Sequence, residues 1–261
     1  MPTDQTRQLL LADSTRKMLW WILALLFAAR LICSALVPLT DTTEARYGEI
    51  ARKMLETNNW VTPLHDYKVD RATCEAIFCV EVGSQNYGVP FWAKPPLSTW
   101  LSAFSMKLFG VNEFAARLPE LLLAIGMLAL VWQWTEVRRG RDAALLAVTI
   151  LASMALFFMA GGAVMTDSSL ALCTTLTMVA FWQALHSPNH LWARLWGYLF
   201  FVGLGIGLLA KGPLVGVLTF LPILPWIILR NNWLQVWRAL PWFSGSALFL
   251  LIGAPWYFLA E

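Results

Sequence analysis

Charge is scarce in this 261-residue sequence: Asp, Glu, Lys and Arg together make up 13%, about half the ~25% share of soluble domains. That shortage excludes a highly solvated chain. The net charge of only +3 points to no nucleic-acid partner. Cysteine is equally sparse, with four residues. Cys33 and Cys173 lie inside apolar runs and read as packing residues. Cys74 and Cys79 lie in a polar stretch, where their spacing permits a disulfide in an oxidising compartment without requiring one. A zinc site would need more ligands, and His65 is the only histidine in that region. Internal repeats, low-complexity tracts and a second soluble domain are also lacking. So is a cleavable signal: the first apolar run, 18–37, is too long for a signal core and ends in Pro38-Leu39-Thr40 rather than a small-x-small site. It reads as an uncleaved membrane helix.

What the sequence has in abundance is apolar surface. Hydrophobic residues make up 58%, and mean hydropathy is +0.59. Crossing a bilayer takes roughly 20 apolar residues. Seven runs approach or reach that length: 18–37, 118–136, 143–161, 168–185, 195–210, 214–229 and 240–260. The fold class expected is an all-α membrane protein, a polytopic helical bundle of about seven spans. Basic residues orient it. Arg7, Arg16 and Lys17 precede the first run, and Arg138, Arg139 and Arg141 follow the second. Arg194 follows the fourth, and Arg230 and Arg238 bracket the link between the sixth and seventh. With the N-terminus in the cytoplasm, all of them fall on the cytoplasmic side. Residues 38–117 then form a large first periplasmic loop.

Two helices are expected in that loop. The first starts at Asp41, with Glu44 at capping-box spacing; Tyr47, Ile50, Ala51, Met54 and Leu55 make its apolar face, and Glu49 and Lys53 form an i,i+4 pair. The second covers 95–110, where Leu97, Trp100, Leu101, Phe104 and Leu108 recur at helical spacing among Ser98, Thr99, Ser102, Ser105 and Lys107. That pattern suits a helix lying in the interface. Counting it as a span would also put the Arg138–Arg141 cluster outside. Residues 57–94 read as a connection.

This topology brings four polar features to one face: Asp41, Glu44, Arg46 and Tyr47 after the first run; Lys94 before Pro95 and Pro96; Asp167 between the third and fourth runs; and Lys211 in a Lys-Gly-Pro turn between the fifth and sixth. Each has a purely structural alternative, as cap, solvated side chain or snorkelling lysine. Together, two acids, an Arg and two Lys around one membrane-surface cavity suit an anionic, lipid-linked substrate. The cations would hold a phosphate, and a carboxylate would take a proton from an attacking hydroxyl. Arg30 lies deep in the first run, where a charge faces the bundle interior, and is expected to form an ion pair.

The string Asp41-Thr-Thr-Glu44-Ala-Arg46-Tyr47-Gly-Glu49-Ile-Ala-Arg52, with Trp60-Val-Thr-Pro63 and Phe91-Trp-Ala-Lys94-Pro-Pro-Leu97, resembles the first outer loop of the lipid A aminoarabinose transferase family, relatives of the protein O-mannosyltransferases. Asn112-Glu-Phe-Ala-Ala-Arg-Leu-Pro119, Asp167 and the turn at Lys211 extend the likeness. The resemblance implies the N-terminal part of a GT-C membrane glycosyltransferase, taking a sugar from a polyprenyl-phosphate donor at the periplasmic face of the bacterial inner membrane and passing it, with inversion, to a lipid or glycan acceptor. It implies Asp41 or Glu44 as the catalytic carboxylate, Arg46, Tyr47, Lys94 and Lys211 in donor binding, and Asp167 as a supporting acid. No cofactor is required; a divalent metal is compatible but not derivable. The sequence departs from the family in three places. Thr43 stands at the aligned position of the family's acid, Ala93 stands where Glu often precedes Lys-Pro-Pro, and residues 68–86 lengthen the loop. Family members are generally longer, with more spans, so the chain reads as truncated. An inactive scaffold and, with less support, a transporter are the alternatives.

Overall fold

The computed structural model describes residues 10–69, 79–82 and 86–260. Helix α1 (Asp13–Leu36) is followed by α2 (Thr42–Thr57), strands β1 (Leu64–Val69), β2 (Val80–Val82) and β3 (Asn86–Pro90), and α3 (Leu97–Phe109). Then come α4 (Glu113–Arg139), α5 (Arg141–Ser153), α6 (Ala155–Ala160), α7 (Thr166–His186), α8 (His190–Lys211), α9 (Leu214–Arg230), α10 (Trp233–Ala239) and α11 (Trp242–Leu259). Five of these helices, α1, α4, α7, α8 and α11, are long and apolar enough to cross a membrane, and α9 is a shorter apolar helix of 17 residues. The chain is a multi-pass helical membrane protein, and its large exposed side chains agree with that. Trp21, Leu25 and Ile32 on α1 and Phe243, Leu251 and Phe258 on α11 face outward, as apolar groups can where lipid rather than water is the solvent.

The third expected run is not one continuous helix. α5 ends at Ser153, Met154 takes an extended conformation (φ −65°, ψ 126°), and α6 adds only six residues. The Ser153 hydroxyl donates back to the Ile150 carbonyl at 2.9 Å, a local bond that competes with the helical ladder. The connection expected over 57–94 also contains more than a linker. Its three strands form an antiparallel sheet of order β1-β3-β2, with Leu64 opposite Pro90 and Val80 opposite Gly88.

α8 is the centre of the second half. Its glycines let neighbours in where any side chain would collide. A methyl on Gly203 would stand 2.8 Å from Thr177 on α7, and one on Gly205 3.0 Å from Ile252 on α11. Small residues at such crossings are the usual means of close helix approach in membranes. Around α8, Leu170, Phe181, Phe200, Phe201, Leu204, Val215 and Ile223 form one buried cluster. A second cluster lies under α2 and α3, where Tyr47, Ile50, Ala51 and Met54 meet Ala103, Met106, Ala115, Ala116 and Val164. In α3 the serine face turns inward: Ser98, Thr99, Ser102 and Ser105 are buried while Phe104 and Leu108 are exposed. Small hydroxyls pack closely against α4, with Ser102 Oγ donating to the Ala116 carbonyl at 3.0 Å, and the bulky apolar face is left outside.

Contacts define two ends of the bundle. At one, Arg16 and the Leu11 amide reach Asp142, and Gln235 Nε2 donates to the Leu185 carbonyl. At the other, α2, the sheet and α3 meet the start of α7 and the end of α11, where Trp256 Nε1 donates to the Val61 carbonyl at 2.8 Å.

Candidate active site

α2 begins where Asp41 caps it. Asp41 Oδ1 accepts from the amides of Thr43 (2.8 Å) and Glu44 (3.1 Å), satisfying two of the helix's orphan N–H groups. The reciprocal half of the expected capping box is absent. Glu44 instead turns inward and pairs with Arg117 of α4 through two bonds of 2.7 Å, Nε to Oε1 and Nη2 to Oε2. Both residues are buried, at 6% and 4% exposure. Oε1 also accepts from the Val164 amide at 3.2 Å. The guanidinium goes on to the carbonyls of Ser34, Val37 and Pro38 at the end of α1. Glu44 therefore ties α2, α4, the end of α1 and the stretch before α7 together, and neither of its oxygens is offered to an open surface. Asp41, one turn earlier, is exposed.

Lys94 is half-buried and has no hydrogen-bond or ion-pair partner among the described residues. Its position follows from the helix it introduces. Four residues on, Ser98 Oγ donates to Glu120 Oε1 at 2.8 Å and to the Met165 carbonyl at 3.1 Å. That bond fastens the start of α3 to the turn that carries Asp167. Asp167 sits in the first turn of α7, exposed, but is not its cap; Met165 holds that position. It accepts instead from Lys211 Nζ at 2.5 Å, so the two residues expected from separate links form an ion pair. Gly212 supports this turn at φ 68°, a backbone conformation open to glycine and strained for other residues. Arg46 is exposed and Tyr47 buried. Burial pushes the Tyr47 hydroxyl above its ordinary value, Arg46 opposes the shift and Asp167 adds to it, so both charges lie within electrostatic reach of that hydroxyl. The sequence-derived residues thus gather at one end, with Glu44 and Tyr47 buried beneath the more exposed ones.

Next to Asp167 lies a cavity of about 540 Å³ between α4, α5, α6, α7 and α9. Its walls include Met127, Leu151, Phe157, Leu170 and Leu218, and it is apolar apart from Asp167, Ser168, Thr174 and Thr175.

Two residues carry the site without having been singled out in the sequence. Arg117 has no local signature, since its partner is 73 positions away; its place in the Asn112–Pro119 string was the only hint. Glu120 is fully buried, with Oε1 on Ser98 and no partner for Oε2. The ion pair expected for Arg30 does not form. No carboxylate lies within 4 Å of it among the described residues; its guanidinium carbon stands 5.7 Å from the Phe158 ring centroid, and its Nε lies against Gly162 with no hydrogen-bond partner. Gly162 leaves room for the long side chain, and the aromatic face takes the place of a carboxylate. No group of three or more His, Cys, Asp or Glu that could hold a metal occurs among the described residues. Cys74 falls outside them, and with it the Cys74–Cys79 pairing.

A family model described as dolichyl-phosphate-mannose-protein mannosyltransferase matches residues 18–261. The undecaprenyl phosphate-alpha-4-amino-4-deoxy-L-arabinose arabinosyl transferase 2 of Sodalis glossinidius is 29% identical over 196 residues, 74% of this chain and 32% of its own length. The corresponding transferase of Erwinia tasmaniensis is 29% identical over 243 residues, 89% of this chain and 39% of its own. The crystal structure of ArnT from Cupriavidus metallidurans bound to undecaprenyl phosphate superposes with a TM-score of 0.79 at 22% identity, covering 95% of this chain and 42% of that one. The chain therefore spans only 32% to 39% of the length of these curated relatives. Its helical membrane architecture is the one that ArnT has, and the family match over nearly its whole length makes it a member of the dolichyl-phosphate-mannose-protein mannosyltransferase family.

Proposed function

We propose that this chain forms the donor-binding part of a membrane glycosyltransferase that takes a sugar from a polyprenyl-phosphate carrier. One juxtaposition carries the reading: a cation-bearing surface with Arg46, Lys94 and Lys211 adjoins an apolar cavity that begins at Asp167. A polyprenyl phosphate has the same two parts, a dianionic head and a long apolar tail. Lys94, which has no partner among the described residues, would be the first contact for the phosphate as a charge-assisted donor. Lys211 would exchange its bond to Asp167 for a phosphate oxygen, or share it.

In the reaction, an acceptor oxygen attacks the anomeric carbon as the bond from that carbon to the phosphate breaks, with inversion. The electron pair leaves with the polyprenyl phosphate, where the cations stabilise it. The proton of the acceptor hydroxyl goes to a carboxylate. Asp41 takes that role in this reading, because it is exposed and only one of its oxygens is used in capping. Glu44 keeps the structural role its pair with Arg117 describes. The acceptor is a lipid or glycan, the N-terminus lies in the cytoplasm, and the site opens at the periplasmic face of the bacterial inner membrane. The concentration of Arg138, Arg139, Arg141, Arg194, Arg230 and Arg238 at the opposite end supports that orientation.

The test is undecaprenyl phosphate binding to the purified chain in nanodiscs, wild type against Lys94→Ala. The expected loss is roughly tenfold, the worth of one charge-assisted bond. Unchanged affinity in the variant would remove Lys94 from the site. Binding without turnover would favour a scaffold, and absence of binding by the wild type would mean that these residues do not form the donor site by themselves.

A further inference from the structure

A second cavity, of about 750 Å³, lies at the opposite end of the bundle, between the α7–α8 corner and α10. Its polar wall is Ser187, His190, Arg194, Gln235 and Arg238, and Leu240 is among its apolar members. No acidic side chain lines it. None is available nearby in sequence either, because the chain has no Asp or Glu between Asp167 and Glu261. Among the described residues, the acids at this end from earlier in the chain are engaged elsewhere. Asp142 holds Arg16 and the Leu11 amide, Asp13 also holds Arg16, and Glu136 holds Arg141 and Trp132 Nε1. Arg138, another arginine near the α4–α5 corner, is stacked on Trp134 and Trp182.

Arg194 and Arg238, the two arginines of the cavity wall, have no counter-charge among the described residues. Arg194 lies 5.8 Å from the Tyr198 ring centroid and donates weakly to its hydroxyl at 3.5 Å. Arg238 has no hydrogen-bond or ion-pair partner among the described residues. Two exposed guanidinium groups on one concave surface, with no carboxylate among the described residues that line it, call for an anion from outside the chain. The surroundings say where it comes from. Trp192, Trp233 and Trp237 stand exposed close by in the chain, as do Leu191, Leu195 and Leu234. Exposed tryptophans beside exposed leucines mark the level where a membrane passes from headgroups to acyl chains.

We propose that this cavity binds the phosphate headgroup of an anionic lipid in the leaflet at this end, held by Arg194 and Arg238 with its acyl chains along the leucines. Guanidinium forks match phosphate oxygens, and basic pockets between membrane helices are known to take lipid headgroups. The site is remote from Lys94 and Asp167, and the proposal does not rest on the transferase reading.

Native mass spectrometry of the full chain, released from nanodiscs containing phosphatidylglycerol and phosphatidylcholine, tests it. The wild type is expected to retain phosphatidylglycerol selectively. Arg194→Gln and Arg238→Gln should each weaken that retention roughly fivefold, and the double variant about 30-fold. Arg230→Gln, an arginine at the same end outside the cavity, should leave it unchanged. A loss with Arg230→Gln equal to that of the cavity variants would mean diffuse surface charge and would overturn the proposal. So would equal retention of the two lipids by the wild type, or unchanged selectivity in the double variant. Millimolar glycerol phosphate distinguishes the two sources of phosphate: failure to displace the lipid supports a lipid site, and complete displacement refutes one. Thermal stability in phosphatidylcholine alone, equal across the variants, shows that they fold.

Discussion

Breaking the Glu44–Arg117 pair should be among the most damaging polar substitutions in the chain, and the two halves should not cost the same. Removing one member of a buried pair typically costs about 3–5 kcal/mol, because the other is left as an uncompensated charge. Glu44→Gln keeps the size of the side chain and leaves Arg117 its three carbonyl acceptors at the end of α1. Its cost should sit near the lower figure. Arg117→Gln strips both short bonds from Glu44 and also deprives Ser34, Val37 and Pro38 of their donor, so its cost should reach the upper figure. At about 2–4 °C per kcal/mol for a chain of this size class, the shifts in Tm are roughly 6–12 °C for Glu44→Gln and 10–20 °C for Arg117→Gln. Tryptophan fluorescence on heating in nanodiscs measures both. The double variant should lose less than the sum, since the two side chains act as one unit. A shift below about 2 °C for either, or a smaller one for Arg117→Gln than for Glu44→Gln, would refute the account of this pair as the tie between α1, α2 and α4.

Other substitutions test separate pieces. Asp41→Ala should cost only about 1 kcal/mol, the worth of an N-cap, while abolishing sugar transfer in a turnover assay; retained transfer would make Asp41 a cap and nothing more. Tyr47, labelled at its ring carbons and titrated by NMR, should lose its proton only above the ordinary tyrosine range near 10, so that any stability linked to its neutral form is lost as pH rises through that point. Asp167→Asn should move the titration down and Arg46→Gln should move it up; no response to either would separate those residues from Tyr47. Gly162→Ala should displace Arg30, whose Nε would stand 2.0 Å from the new methyl, at a cost of about 1–3 kcal/mol. The same change should be nearly free in an Arg30→Leu background, as thermal denaturation of the four chains would show.

What was legible in the sequence is what local chemistry writes there. The helix starting after Asp41 follows from the side chain that caps it, and Glu49 and Lys53 do approach, at 3.6 Å. The amphipathic pattern of 95–110 identified a helix with one exposed apolar face. The long apolar runs gave α1, α4, α7, α8 and α11 because a bilayer permits little else for such runs. The illegible parts depend on distant partners or on single residues. Glu44 reads as a capping-box residue until Arg117 is known to lie beside it. Hydropathy passes over the break at Met154 because Ser153 and Met154 hardly change the average. The strands at Leu64–Val69 and Asn86–Pro90 are short and make sense only as a pair.

The division of labour among the carboxylates follows from burial and pairing more than from sequence position. Glu44, Glu120, Asp167 and Asp41 all lie toward the same end. Glu44 is closed off by Arg117, and Glu120 is sealed under Ser98 with no route to a substrate. Asp167 faces the apolar cavity but already holds Lys211. A proton acceptor has to be reachable and not neutralised by a neighbour. Asp41 meets both conditions, although Thr43 stands at the position where the family's acid is expected. A shift of two residues to the N-cap moves the carboxylate from the first turn of α2 to its edge, where one oxygen fixes the helix and the other is not used in the cap. A chain carrying both Thr43→Asp and Asp41→Asn would separate the two positions. The asparagine still caps the helix, so the fold is kept. Restored transfer would show that a carboxylate at position 43 can serve as the base the proposal assigns to Asp41, whereas loss of transfer would tie that role to position 41.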